Sequence, residues 1–202
     1  MTSAAYQQSA AVVTAKIAAD PDNTLFLRRT PLRLEAEAVR DSALAVSGLL
    51  DTNMFGPGTL DESSRRRSLY FTVKRSRLVN SMLVFDAPEP LVSQGTRPTT
   101  TVAPQALLLL NSPQARSWAR ALAKRSESGV PTDDPGAAPR IARAYQLALG
   151  RLPTRAESKG AVAFVESGAK DYAAAGRPDA RALALADFCQ ALLGLNEFIF
   201  VD

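Results

Sequence analysis

The chain contains no histidine and a single cysteine. Without histidine, no Ser-His-Asp or Cys-His catalytic arrangement can be assembled from its residues, and the commonest transition-metal ligand is missing. The lone thiol, Cys189, has no partner for an internal disulfide, so cysteine usage says nothing about redox compartment. Long apolar runs are lacking too. The leucines at 107–110 fall far short of the roughly 18 residues that cross a bilayer. The opening "MTSAAYQQSAAVVTAKIAAD" has no basic region ahead of an apolar core and does not read as a signal peptide. "GPG" at 56–58 has no Lys-Ser/Thr after it, and no G-x-S-x-G elbow occurs, so two common phosphate and hydrolase devices are absent.

What is present points to helices. Alanine and leucine are abundant while valine and isoleucine are sparse, a bias that favours helix packed on helix. Hydrophobic residues at 46% and charged residues at 22% suit an ordinary globular core, and 202 residues suit one domain. The expected fold is mainly α, an irregular domain of seven or eight helices with at most one short extended segment. The net charge of +4 is too modest to mark a nucleic-acid binder by itself.

Local signals place the elements. Thr30 as N-cap and Pro31 at the first position predict a helix over 31–50, with Arg33–Glu37 and Glu37–Arg40 as surface pairs. Alternation of Leu69, Phe71 and Val73 predicts an extended segment over 69–73. Leu78, Met82 and Phe85 return to helical spacing. A Pro/Gly-punctuated loop over 87–98 follows, long enough to need packing down. Pro104 opens a short buried helix ending near Asn111, and Ser112-Pro113 starts the next. The stretch 128–139 reads as a linker and a possible sub-boundary. Gly150 stops a helix over 140–149, and Thr154-x-x-Glu157 is a capping box. Leu185, Phe188, Cys189, Leu192 and Leu193 stripe the last helix, and the apolar tail after it predicts a docked terminus.

Candidate chemistry is thin. Cys189 on an apolar helix face fits a core residue better than a nucleophile. Arg65, Arg66, Arg67, Lys74, Arg75 and Arg77 surround Tyr70 and Phe71. Basic residues beside aromatics suit nucleic acid, but no accompanying motif supports that, and a solvated or anion-pairing face is preferred. Arg116, Arg120 and Lys124 recur as the solvent side of a helix. Asp86 with Glu89, Asp133 with Asp134, and Glu35, Glu37 and Asp41 are the carboxylate groupings; none has calcium-loop spacing.

Six stretches, "RLEAEAVRDSALAVSG", "RRRSLYFTVKRS", "FDAPEP", "TRPTTTVAPQALLLLNSP", "RAYQLALGRLPTRAE" and "FCQALLGLNEFIFVD", occur in that order. Together they resemble the C-terminal domain of unknown function of large planctomycete proteins that also carry a planctomycete-type cytochrome c domain. The resemblance runs over nearly the whole chain and implies a C-terminal portion of that domain, in an exported protein facing the periplasm or cell surface. It carries no activity with it, and this chain has no Cys-x-x-Cys-His for heme. The motif positions map to Arg67, Tyr70, Arg75, Asp86, Arg97, Thr100, Thr101, Gln105 and Asn111. Such residues suit a polar pocket for a sugar, a carboxylated ligand or a partner loop. They suit equally a buried network fixing the long loop to the helices, which is preferred because a long loop has many backbone groups to pair.

The resulting expectation is a non-catalytic accessory or interaction domain with no cofactor or metal. Its partners would be the missing N-terminal part of the same domain, another chain or a cell-surface polymer. The alternative is an enzyme domain acting on carbohydrate, with Asp86 and nearby arginines at the site; nucleic-acid binding through residues 65–77 is the third reading.

Overall fold

The structure, a computed structural model, describes all residues except 1, 5, 12, 92, 131–135 and 202. Among the described residues the chain forms nine α-helices, one 3₁₀ turn and one two-stranded sheet. The helices are α1 (Thr14–Ala19), α2 (Ala36–Ser47), α3 (Asn80–Val84), α4 (Ala103–Asn111), α5 (Pro113–Glu127), α6 (Ala138–Leu149), α7 (Arg155–Ala174), α8 (Ala180–Leu193) and α9 (Asn196–Ile199). The strands are β1 (Leu32–Arg33) and β2 (Phe200–Val201). The mainly α expectation is met.

The core is built around α8, which packs against both α5 and α7. Leu185, Phe188, Cys189, Leu192 and Leu193 are buried as the stripe predicts, and Leu183, Ala184, Ala186 and Gln190 are buried as well. A helix clamped between two neighbours has little solvent face left, so a one-sided stripe becomes an almost all-round apolar surface. Trp118, Ala119 and Leu122 of α5 and Ile141 and Tyr145 of α6 complete this centre. Helix α2 docks on α5 and α6, with Val39, Ala43 and Leu44 buried.

The cap chemistry written in the sequence is realised. The Ala115 amide donates to Ser112 Oγ at 3.0 Å, and Pro113 occupies the first turn of α5. Thr154 and Glu157 exchange their capping-box bonds at the start of α7 (2.7 and 3.3 Å). Gly150 ends α6 in the left-handed region (φ 71°), where a side chain would be strained.

Three local expectations change. The helix expected over 31–50 begins only at Ala36, with Glu35 as N-cap. Residues ahead of it are instead β1, antiparallel to β2 in the register Leu32 to Val201 and Arg33 to Phe200. The Leu34 amide also donates to the Ile199 carbonyl at 2.8 Å. The tail thus supplies backbone partners that local signals cannot foresee. Second, the extended segment expected over 69–73 is only partly formed: Ser68–Tyr70 is the 3₁₀ turn, because α2 holds Ser68 from two sides as described below, and Phe71 follows in extended conformation, bridged to Thr59. Third, the leucine-rich helix α4 is not buried as a unit: Leu109 is buried while Leu107 and Leu110 are 53% and 54% exposed.

Arg151, just past α6, ties three elements together. Its guanidinium donates to Glu157 (2.8 and 2.9 Å) and Glu197 (2.5 and 2.7 Å) and lies 5.4 Å from the Tyr145 ring centroid. The Arg151 bonds, backed by the Thr154 amide, hold the Glu157 carboxyl down at about 2. A depressed carboxyl contributes stability that is present above its ordinary value of 4.5 and lost as pH falls through the native value near 2. Glu157→Gln is therefore expected to flatten the fall in stability between about pH 4.5 and 2, measured by denaturant unfolding across that range.

Candidate functional site

The long loop between α3 and α4 is closed by a polar knot. It begins at Asp86, which follows α3 at φ 62°. That left-handed conformation is tolerated by aspartate because its short side chain bonds locally. Arg33 of β1 donates to Asp86 Oδ2 at 2.6 Å, with both side chains largely buried. Thr100, at the far end of the loop, donates its amide to the same oxygen at 2.8 Å and its hydroxyl to Oδ1 at 2.9 Å. Gln105, in the first turn of α4, donates to the carbonyls of Val84 (3.0 Å) and Thr100 (3.1 Å) and accepts from the Val102 amide (3.3 Å). The two ends of the loop are thereby joined. Three residues before Thr100, Arg97 pins the loop to the start of α2 through Glu35 (3.1 Å) and Glu37 (2.8 and 3.2 Å). Burial pushes the Glu37 carboxyl up, and the Arg97 bonds outweigh it to leave a net lowering.

A second knot fixes the segment between α2 and α3. Arg40, buried on α2, donates to the carbonyls of Arg66 (2.9 Å) and Ser64 and to Ser68 Oγ (3.2 Å), and its guanidinium lies 4.5 Å from the centroid of Phe71. The neighbouring Asp41 accepts from the amide and hydroxyl of Ser68, both at 2.7 Å, and from Arg67 at 3.4 Å. Glu62 reaches the start of α3, accepting from the Asn80 amide (3.1 Å) and the Ser81 hydroxyl (2.8 Å).

The motif residues therefore divide. Asp86, Thr100 and Gln105 meet in one knot, while Arg97 pairs separately with Glu35 and Glu37. Arg67 and Tyr70 belong to the other segment, where the Tyr70 hydroxyl accepts from the Phe55 amide at 2.7 Å. Arg75, Thr101 and Asn111 are exposed and take no part in either knot. Both oxygens of Asp86 are engaged by protein, and Glu89 is exposed on the loop without a shared partner. The pair Asp133–Asp134 lies outside the described residues.

Other side chains matter more than their spacing implied. Arg33 and Arg40 are not helix-surface partners of Glu37: Arg33 sits in a strand, and Arg40 turns inward to the 64–68 carbonyls. Of the stripe on α5, Arg116 leaves solvent to pair with Asp187 and Gln190 of α8. Asp187 also accepts from the Tyr172 hydroxyl at 2.8 Å, and Gln190 donates to the carbonyls of Leu109 (3.1 Å) and Leu110 (2.7 Å). Gln190 so caps the end of α4. Its only signal in the sequence is an amide within an apolar run.

The chemistry on offer is limited. Cys189 is fully buried, and burial pushes its thiol up to about 12, so no thiolate forms at neutral pH. No group of three or more Asp, Glu or Cys among the described residues could hold a metal ion, and no described helix is long and apolar enough to cross a membrane. A hollow of about 990 Å³, lined by Arg140, Lys170, Arg177 and Leu185 among others, lies away from every motif residue. A smaller one of about 410 Å³ follows α2 past Glu35, Glu37 and Asp41 to Arg67.

A model of the family described as "PSD1: Protein of unknown function (DUF1553)" matches residues 1–165. The chain belongs to the DUF1553 family. The DUF1553 match ends within α7, so α8 and the tail lie beyond it. No curated protein and no solved structure matches the chain.

The loop knot makes a specific demand on Asp86. Asp86→Asn keeps the shape and the tolerance for positive φ but loses the charge toward Arg33. It is expected to cost about 1–3 kcal/mol. It should also open 87–99 to limited proteolysis. Asp86→Ala should cost more, because alanine is strained at φ 62°.

Proposed function

We propose that this DUF1553 chain is a non-catalytic accessory or interaction domain of a large exported protein of planctomycete type, working at the periplasmic side or cell surface beside other domains, in relatives a cytochrome c domain. The ordered motifs support the setting. The observation that carries the interaction reading is the outer face of α4.

Ala103, Ala106, Leu107 and Leu110 fall at i, i+3, i+4 and i+7, one face of the helix, and all four are exposed. Val102, just ahead, is exposed as well. The helix has no charged residue. Its opposite face is anchored by Gln105, Leu109 and the Gln190 cap, so the apolar face is held in a fixed position. A rigid, uncharged apolar strip of this kind is what one protein body offers another. The polar residues that a carbohydrate-cleaving site would need are meanwhile engaged: Asp86 by Arg33 and Thr100, Gln105 by backbone. The proposed occupant of the strip is the remainder of the same exported protein or a partner chain.

The purified chain is expected to self-associate or to bind an apolar dye through this strip. L107S/L110S should abolish both while changing stability by about 0.5 kcal/mol or less, as exposed positions do. A monodisperse, dye-silent chain that L107S/L110S leaves unaltered would sink the reading. So would a glycan-cleaving activity that Asp86→Asn removes without unfolding the protein.

A further inference from the structure

The excursion between α2 and α3 carries an unusual combination of features. Its first loop is tightly braced. The Arg66 guanidinium lies 3.4 Å from the Tyr70 ring centroid and donates to the carbonyls of Pro57 (3.0 Å), Asn53 (3.4 Å) and Phe55. The Phe55 amide donates to the Tyr70 hydroxyl. The loop also packs on the segment behind it. The Thr59 amide donates to the Tyr70 carbonyl (2.9 Å) and the Thr72 amide to the Thr59 carbonyl (2.8 Å), and a Cβ on Gly58 would lie 2.7 Å from Thr72 Oγ1.

A loop so fixed could have turned its apolar side chains inward, and it does the opposite. Met54 is 72% exposed and Phe55 is 81% exposed. Phe55 is also held at φ 67°, a conformation bulky residues seldom adopt. Arg66 and Tyr70 thus maintain a strained backbone that projects an aromatic ring into solvent. Leu69 and Val73 of the same lobe are exposed as well.

The same lobe carries exposed cations. Arg65, Lys74, Arg75 and Arg77 are exposed. The last three sit on one tight turn closed by the Arg77 amide on the Lys74 carbonyl (3.0 Å). The carboxylates of the lobe are directed elsewhere: Asp51 to the Asn53 amide, Asp61 to Ser63, and Glu62 to the start of α3.

We propose that this lobe docks on an anionic lipid bilayer, with Met54 and Phe55 entering the boundary between headgroups and acyl chains and Arg65, Lys74, Arg75 and Arg77 facing lipid phosphates. Apolar side chains on a basic surface are what an interfacial anchor requires, since burial in the boundary and attraction to anionic headgroups add. A polyanion without an apolar phase fits less well. Met54, Leu69 and Val73 stack on neither a base nor a sugar, and Tyr70, an aromatic among the cations, is covered by Arg66. The proposal is independent of what covers α4.

The test is co-sedimentation of the whole chain with vesicles of phosphatidylglycerol and phosphatidylcholine in equal amounts, against pure phosphatidylcholine. Binding is expected to the anionic vesicles and to weaken as salt rises. M54S/F55S should weaken it on the order of tenfold. Each of Lys74→Glu and Arg75→Glu should weaken it at least about fivefold, the worth of one cation near an anionic surface. Unchanged circular dichroism and melting confirm that these variants are folded. In Phe55→Trp the new indole should shift to the blue on the anionic vesicles, against the constant signal of the buried Trp118. L107S/L110S should leave vesicle binding intact, so this proposal and the α4 reading fail separately. No binding to anionic vesicles at low salt overturns the proposal. Binding that M54S/F55S leaves unchanged also overturns it, as does tighter binding to DNA or heparin than to the vesicles at matched salt.

Discussion

Arg40 is a buried guanidinium on a helix, and burial pulls its pKa below the ordinary arginine value against the opposing pull of Asp41 and Glu62. A cation in that position is tolerated only if its donors are used. Here they are used on backbone carbonyls of a segment with almost no regular structure of its own. Residues between α2 and α3 have isolated bridges but no ladder, and their carbonyls need partners. One arginine answers both needs. It draws Ser68 against α2, which with Asp41 sets the 3₁₀ turn, and the turn positions Tyr70 to meet Arg66. The braced apolar loop is thus a downstream consequence of a cation placed on the inner face of α2.

The same economy closes the second long loop. Arg33 sits in a strand too short to be stable alone, and Asp86 sits in a backbone conformation few side chains tolerate. Each is supported by the other, and Asp86 also by Thr100. Gln105 then binds carbonyls on both sides of the loop, so that α4 starts at a defined point. Among the described residues the only sheet has two short strands, which leaves little ladder with which to organise the loops. Side chain to backbone bonds do that work, and arginine, with five donors in a rigid fork, is suited to it.

These arrangements mark the line between what was legible in the sequence and what was not. Elements with local punctuation were readable: Ser112-Pro113, the Thr154–Glu157 box and the Gly150 stop each act through neighbours a few residues away. The helical class followed from composition, and the α8 core from its stripe. The start of α2 was misplaced, because Thr30-Pro31 is a sound local signal that loses to a tail pairing from the far end of the chain. The first part of the 69–73 segment was overridden in the same way by Arg40 and Asp41, which leave only the stretch from Phe71 extended. Of the motif positions, Asp86, Thr100 and Gln105 do share a knot, as a loop-fixing network would need. Arg33 and Arg40 read as surface partners of Glu37, and Gln190 carried no signal, because spacing alone describes an arginine as a surface residue and an amide as an interruption.

The pairing of β1 with β2 bears on the order of assembly. Arg33 is at once the strand neighbour of Phe200 and the ion partner of Asp86. A ribosome releases Arg33 and Asp86 long before Phe200. During synthesis the arginine can find its carboxylate, yet the backbone that orients it has no partner until the tail emerges. Helix α8, the centre of the core, is completed just ahead of that tail. The polar knot at Asp86 therefore shares Arg33 with a tail pairing of very high sequence separation, so its support and the seating of the tail after α8 are coupled through non-local contacts.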